Sequence, residues 1–182
     1  MTEELHSSRY WRPLVINGTQ INLDHLEPLS LDCPTPDQQH PLRINVRFSM
    51  HCFTQGGDLD QIAPALLIMD HKRPRAFDQL RYDLSKKLPD IIKSLPTMKV
   101  YQTPEQRNYL YFSALAELAG MEYQVFFSLK KAGRKHGHHL ELFVESAYSA
   151  ETVNRKRRPH SIRFAILAMK VYKGERVRFA AR

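Results

Sequence analysis

The sequence predicts an α+β domain: an antiparallel sheet of about five or six strands with one long, kinked helix packed on it, plus an N-terminal hairpin and strand. Three observations carry this reading. Leu42 to Phe53 alternates strictly, with Leu42, Ile44, Val46, Phe48, Met50 and Cys52 on one side and Arg43, Asn45, Arg47, Ser49 and His51 on the other, the period of a half-buried strand. Phe77, Leu80, Leu84, Leu88, Ile91 and Leu95 recur at helical steps and form one apolar stripe. From Met98 onward, strand-like runs follow one another with no helical stretch between them, which favours antiparallel pairing.

Taken in order, Leu14-Val15-Ile16 and Ile21-Asn22-Leu23 flank Asn17-Gly18, the dipeptide that most readily takes the left-handed angles of a tight hairpin turn. Glu27 to Pro41 holds Pro28, Pro34, Pro36 and Pro41 and reads as an irregular loop. The alternating strand follows and ends at Gln55-Gly56-Gly57-Asp58. A short apolar piece, Ile62 to Met69, and a basic turn, His71 to Arg75, lead to the helix. Pro89 interrupts that helix, so a kink or two helices meeting near Lys87 is expected, and Pro96 closes it. Strands are expected near Met98–Gln102, Tyr109–Leu115, Glu122–Leu129, Leu140–Tyr148 and Ser161–Tyr172, with a short closing one at Arg176–Phe179.

The 182 residues fit a single domain, 1–182, and 42% hydrophobic residues supply a core and argue against disorder. Two cysteines, Cys33 and Cys52, are too few for a disulfide-rich secreted scaffold. No run reaches the roughly 18 apolar residues of a membrane span, and the acidic N-terminus lacks a signal peptide's basic and apolar regions. A cytoplasmic protein, with no membrane partner, is the expectation.

Charge divides the chain. Residues 1–70 hold 4 Lys/Arg against 9 Asp/Glu, a net −5; residues 71–182 hold 23 against 10, a net +13. A contrast of that size suggests a directional field that meets a polyanion, RNA or DNA, rather than a generally solubilising surface. The cations fall in runs: Lys130, Lys131, Arg134 and Lys135 in one inter-strand loop, and Arg155, Lys156, Arg157 and Arg158 in the next. Arg43 and Arg47 add to them from the alternating strand. Charged turns that merely keep a sheet soluble remain the plainer alternative.

Two positions carry catalytic potential. Alternation places His51 on the polar face with Arg43 and Arg47, where an imidazole beside a phosphate site serves as general acid or base, and sends Cys52 inward. Glu145 interrupts the apolar run Leu140–Tyr148, and a carboxylate inside a sheet either pairs, with Arg163 as the expected cross-strand partner, or reacts. The cluster His136, His138, His139 has no further ligand set at metal spacing and reads as loop histidines, so no metal or other cofactor is expected. No phosphate-binding glycine loop, dinucleotide fingerprint, H-E-x-x-H or G-x-S-x-G occurs.

Three segments, FSMHCFT (48–54), RAFDQLRYDLSKKLP (75–89) and LELFVESAY (140–148), resemble those of small basic proteins carried by prophages and other mobile elements. In element order and basicity, residues 75–182 also resemble the barnase–EndoU–colicin–RelE class of ribonucleases. That resemblance implies acid–base groups on the sheet that cleave RNA through its own 2′-hydroxyl, with Glu145, Arg163 and His51 in those roles.

Three functions stay open at this point. One is a metal-independent ribonuclease of toxin or effector type, with Glu145 or His51 as base and acid and with Arg163, Arg81 and Arg47 stabilising the transition state. The second is a nucleic-acid-binding module or accessory subunit without chemistry, using Tyr109 and Tyr111 for stacking. The third is an interaction protein whose basic face docks on an acidic partner, such as an antitoxin.

Overall fold

The computed structural model describes residues 9–36, 39–101, 116–118, 121–133, 137–150 and 161–177. The fold is α+β. β1 (Leu14–Ile16) and β2 (Thr19–Ile21) form the expected hairpin, and Asn17 and Gly18 take φ of 49° and 75° at its turn.

The central sheet has the order β3-β4-β11-β10-β9. Its strands are β3 (Leu29–Cys33), β4 (Leu42–Phe48), β9 (Ala116–Leu118), β10 (Met121–Lys131) and β11 (Leu140–Ala150). Strand β3 lies inside the stretch expected to be an irregular loop. Leu31 and Cys33 are buried while Ser30 and Asp32 are exposed, and Pro28 and Pro34 bracket this edge strand, where a missing N–H costs nothing. The sheet is not wholly antiparallel: β4 and β11 run parallel, Ile44 opposite Leu140 and Phe48 opposite Val144.

The long alternating strand stops early. β4 ends at Phe48, Ser49 caps a 3₁₀ turn at Met50–Cys52 by accepting the His51 N–H at 3.0 Å, and β5 (Thr54–Gly56) joins a second sheet. That sheet has the order β5-β7-β6, with β6 (Leu67–Asp70) and β7 (Arg73–Phe77) joined by a turn in which His71 has φ 55°. Cys52, Phe53 and Thr54 are all buried, which three consecutive residues of one alternating strand cannot achieve but a turn can.

The expected long helix is two short ones, α1 (Gln79–Ser85) and α2 (Leu88–Ser94), meeting at Lys86 and Lys87 with Pro89 in the first turn of α2. Phe77 belongs to β7, and Asp78 caps α1 by accepting the Arg81 N–H at 2.9 Å. Pro96 sits in a closing 3₁₀ turn, Leu95–Thr97.

After β8 (Lys99–Tyr101), the chain departs most from expectation near its end. Only β12 (Ser161–Arg163) is extended; α3 (Phe164–Lys173) occupies the rest of the expected strand. Phe164, Leu167 and Ala168 are buried and Val171 packs on the core, a helical stripe, and Gly174 at φ 72° ends the helix. Arg176 and Val177 have no regular structure; the expected strand Tyr109–Leu115 and the end of Arg176–Phe179 lie outside the described residues.

The inward residues of β3, β4, β10 and β11, together with Leu88, Ile92, Phe164 and Leu167, form one hydrophobic cluster. Phe127 and Phe164 meet edge to face at 6.0 Å between ring centres, which seats α3 on the sheet. Each such side chain contributes about 1.5–3 kcal/mol on burial. The opposite face of the sheet carries the polar members of each strand together with Phe126, Phe143 and Tyr148.

Candidate functional site

Two places gather the residues expected to act. The first surrounds the turn that follows β4. Asp70, at the end of β6, places Oδ2 3.0 Å from His51 Nε2, with both side chains about one-third exposed or less. An ionised carboxylate only accepts, so Nε2 is the donating nitrogen of this pair, and in a neutral ring the lone pair is then on Nδ1.

Arg81 reaches the same turn from α1. Its Nη1 donates to the Thr54 carbonyl at 2.9 Å and to the His51 carbonyl at 3.4 Å, and its guanidinium carbon lies 5.2 Å from the centre of the Tyr148 ring. Arg75, from β7, donates Nε to Thr54 Oγ1 at 2.6 Å and Nη2 to the Thr54 carbonyl at 3.1 Å. Thr54 therefore holds two guanidinium groups together, while its own hydroxyl donates to the Met50 carbonyl at 2.9 Å. Burial, and next the Arg81 cation, lower the Arg75 pKa; Asp70 opposes them.

Of the predicted catalytic set, His51 and Arg81 are thus brought together. Glu145 and Arg163 are not. Phe126 pairs with Ser146 and Phe127 with Val144, so Glu145 is the extra residue of a β-bulge in β11. The 3₁₀ turn lies beside that bulge, since the Ser49 N–H donates to the Val144 carbonyl at 2.9 Å, yet the His51 ring turns to Asp70. Arg163 is exposed on β12, which pairs with β8, opposite Lys99, and not with β11. The expected cross-strand pair with Glu145 is therefore not formed.

Asp70 and Arg75 were not singled out as site residues from the sequence. Their signal is the segment Asp70-His71-Lys72-Arg73, a polar two-residue turn between apolar Leu67–Met69 and the β7 run, which marks a hairpin and hence a carboxylate at a strand end.

Cys52 belongs to the same region but is chemically quiet. Burial pushes its thiol up to about 12, against the smaller opposing effects of a Ser49 backbone hydrogen bond and the Arg81 charge. Burial likewise pushes Cys33 up to about 11, and both cysteines are free.

The second place is the face of the central sheet turned away from the core. Arg43 and Arg47 on β4, Glu141 and Phe143 on β11, and Ser128 and Lys130 on β10 share it, because their neighbours in each strand are buried. Glu141 bridges Arg47 at 3.6 Å and Lys130 at 3.2 Å. The adjacent Lys131 points to the other face, its Nζ 5.4 Å from the Tyr172 ring of α3. The expected basic run is therefore split across the sheet by the pleat. Arg134, Lys135 and the run Arg155, Lys156, Arg157, Arg158 lie outside the described residues.

Of the histidine cluster, His139 accepts the Arg43 N–H at its Nδ1, 2.8 Å away, and meets Tyr172 edge on. Among the described residues, no group of three His, Cys, Asp or Glu is placed to hold a metal ion, and no helix is long and apolar enough to cross a membrane.

These elements define an α+β protein with a mixed central sheet, one face in the core and one that carries charged and aromatic side chains together. A family model covering residues 13–172 matches, and the chain belongs to the YjaZ family. No curated protein and no solved structure matches it.

Proposed function

We propose that this YjaZ-family protein binds nucleic acid along the polar face of its central sheet. One observation carries the reading: Arg43, Arg47 and Lys130, from two strands separated by β11, project from the same face of a rigid sheet. Phosphates are contacted by such fixed cations, and the +13 balance of residues 71–182 supplies the long-range attraction. Glu141 holds Arg47 and Lys130 in place without cancelling both, and a partly exposed ion pair of this kind yields to a competing phosphate at about 1 kcal/mol. The test is the salt dependence of binding to a labelled oligonucleotide. Affinity should fall steeply with salt, and Arg47→Ala with Lys130→Ala should weaken binding and flatten the slope by about 2. An unchanged slope removes this face from the interface.

A second reading, metal-independent RNA cleavage, is favoured by the His51–Asp70 pair beside two arginines. In it, His51 Nδ1 takes the proton of the RNA 2′-hydroxyl, O2′ forms a bond to phosphorus, and the bond to O5′ breaks. The imidazolium or a water molecule it orients returns the proton to O5′, and Arg81 and Arg75 offset the negative charge that gathers on the phosphoryl oxygens. RNA should be cleaved in EDTA by the wild type and not by His51→Ala, while DNA of the same sequence stays intact. RNA that survives the wild-type protein eliminates this reading and leaves the binding reading standing.

A further inference from the structure

We infer that Phe143 is a stacking platform for an unpaired base, so that the nucleic acid this face takes is single-stranded; the inference rests on the binding function proposed above. Phe143 is half-buried and lies outside the hydrophobic cluster to which its strand neighbours Leu142 and Val144 belong. An aromatic ring that keeps part of its surface uncovered on the polar side of a sheet leaves that part of the gain of burial unmade until a ligand covers it.

Its surroundings fit a base. Phe143 sits opposite Arg47 on β4 and opposite Ser128 on β10, with Lys130 and Phe126 two residues to either side of Ser128 and Glu141 two residues before Phe143 on β11, all on the same face. Arg47 is one strand spacing away, about 4.8 Å, and Lys130 lies on the other neighbouring strand, two residues from Ser128. A π-face with cations on both sides is the arrangement that single-stranded binders use, one base on the ring and the backbone along the charges. A duplex keeps its bases stacked inside and offers the ring nothing.

The ring, not the charge, selects this occupant over an acidic protein surface. Carboxylates would engage Arg43, Arg47 and Lys130 equally well but gain nothing from an aromatic ring between them.

The experiment is fluorescence anisotropy with the full chain and a labelled 20-nucleotide RNA of mixed sequence, alone and annealed to its complement. The single strand should bind at least tenfold more tightly than the duplex at equal salt. Phe143→Leu, which keeps an apolar side chain but loses the π-face, should weaken single-strand binding roughly 5- to 100-fold and leave duplex binding unchanged, while Phe143→Trp retains it. Thermal melting of each variant shows that it is folded. If Phe143→Leu binds the single strand as tightly as wild type while Arg47→Ala with Lys130→Ala loses it, stacking is overturned and the basic-face reading survives. If neither form of RNA binds even at low salt, the binding reading falls and this inference with it.

Discussion

Asp70 Oδ2 sits 3.0 Å from His51 Nε2, joining the end of a hairpin strand to a 3₁₀ turn 19 residues earlier in the chain. If the pair acts on RNA, His51→Ala should slow cleavage by about 10²–10⁴-fold, the range of a lost acid–base group. Asp70→Asn should cost less, because the amide oxygen still accepts the ring N–H. Both side chains are partly exposed, so neither change should move the melting temperature by more than a few degrees. Wild-type cleavage by Asp70→Asn, measured per folded molecule, would remove Asp70 from the mechanism.

Glu141 offers a test in the opposite direction. Its carboxylate competes with phosphate for Arg47 and Lys130. Glu141→Gln should therefore tighten nucleic-acid binding by roughly 2- to 5-fold, matching the worth of a partly exposed ion pair. The gain should shrink at high salt, where such pairs are screened. Titrations at low and high salt check it, and weaker binding by Glu141→Gln would show that Glu141 positions the cations rather than competing for them.

Thr54 should be the most sensitive polar position in the second sheet. Its hydroxyl accepts from Arg75 and donates to Met50, in a side chain with no exposure. Thr54→Val keeps the shape and strands both partners, which should cost about 2–3 kcal/mol because one of them is charged. Thr54→Ser should cost about 1 kcal/mol, the value of the lost methyl group. Urea unfolding of the two variants separates the hydroxyl from the packing.

The buried thiols make stability depend on pH in a stated direction. Cys33 and Cys52 titrate at about 11 and about 12 in the fold, above an unfolded thiol near about 8.5. A raised folded value means the neutral thiol favours the native state: its contribution is whole below about 8.5 and is lost as pH rises toward the folded values. Stability should decline between about pH 8.5 and 12, and Cys33→Ala combined with Cys52→Ala should flatten that decline. An identical pH slope in the double variant refutes the assignment. Neither thiol should react with a disulfide probe at pH 8 before unfolding.

How much of this could be read from residues alone follows from which signals were local. The hairpin at Asn17-Gly18, the alternation of Leu42–Phe48 and the break near Lys87 depend on neighbours in sequence, and each is present. The α+β class followed from them. Strand β3 was missed because its prolines were read as forbidding structure when they bound an edge strand. α3 was missed because Ser161–Arg163 is extended and the run beyond it is apolar enough for either period, although Phe164, Leu167, Ala168 and Val171 followed by Gly174 are helical spacing and a helix stop. At the site, His51 and Arg81 were found by residue type. Asp70 was not, since its closeness to His51 depends on how a second small sheet folds back. Glu145 lost its expected partner for a related reason: Arg163 pairs with β8, a choice made by long-range packing.

The parallel pairing of β4 with β11 joins Ile44 to Leu140, a separation of 96 positions along the chain. Closing so distant a contact is entropically costly and slow compared with forming a hairpin. During synthesis, β3 and β4 can pair early, but one edge of β4 has no strand to meet until residues 140–148 have left the ribosome. For most of translation, the apolar run Leu42, Ile44, Val46 and Phe48 is an open template for another chain. The acidic first part of the chain, with its net −5, emerges first, and the mutual repulsion it gives nascent copies fades as the basic residues after 70 follow.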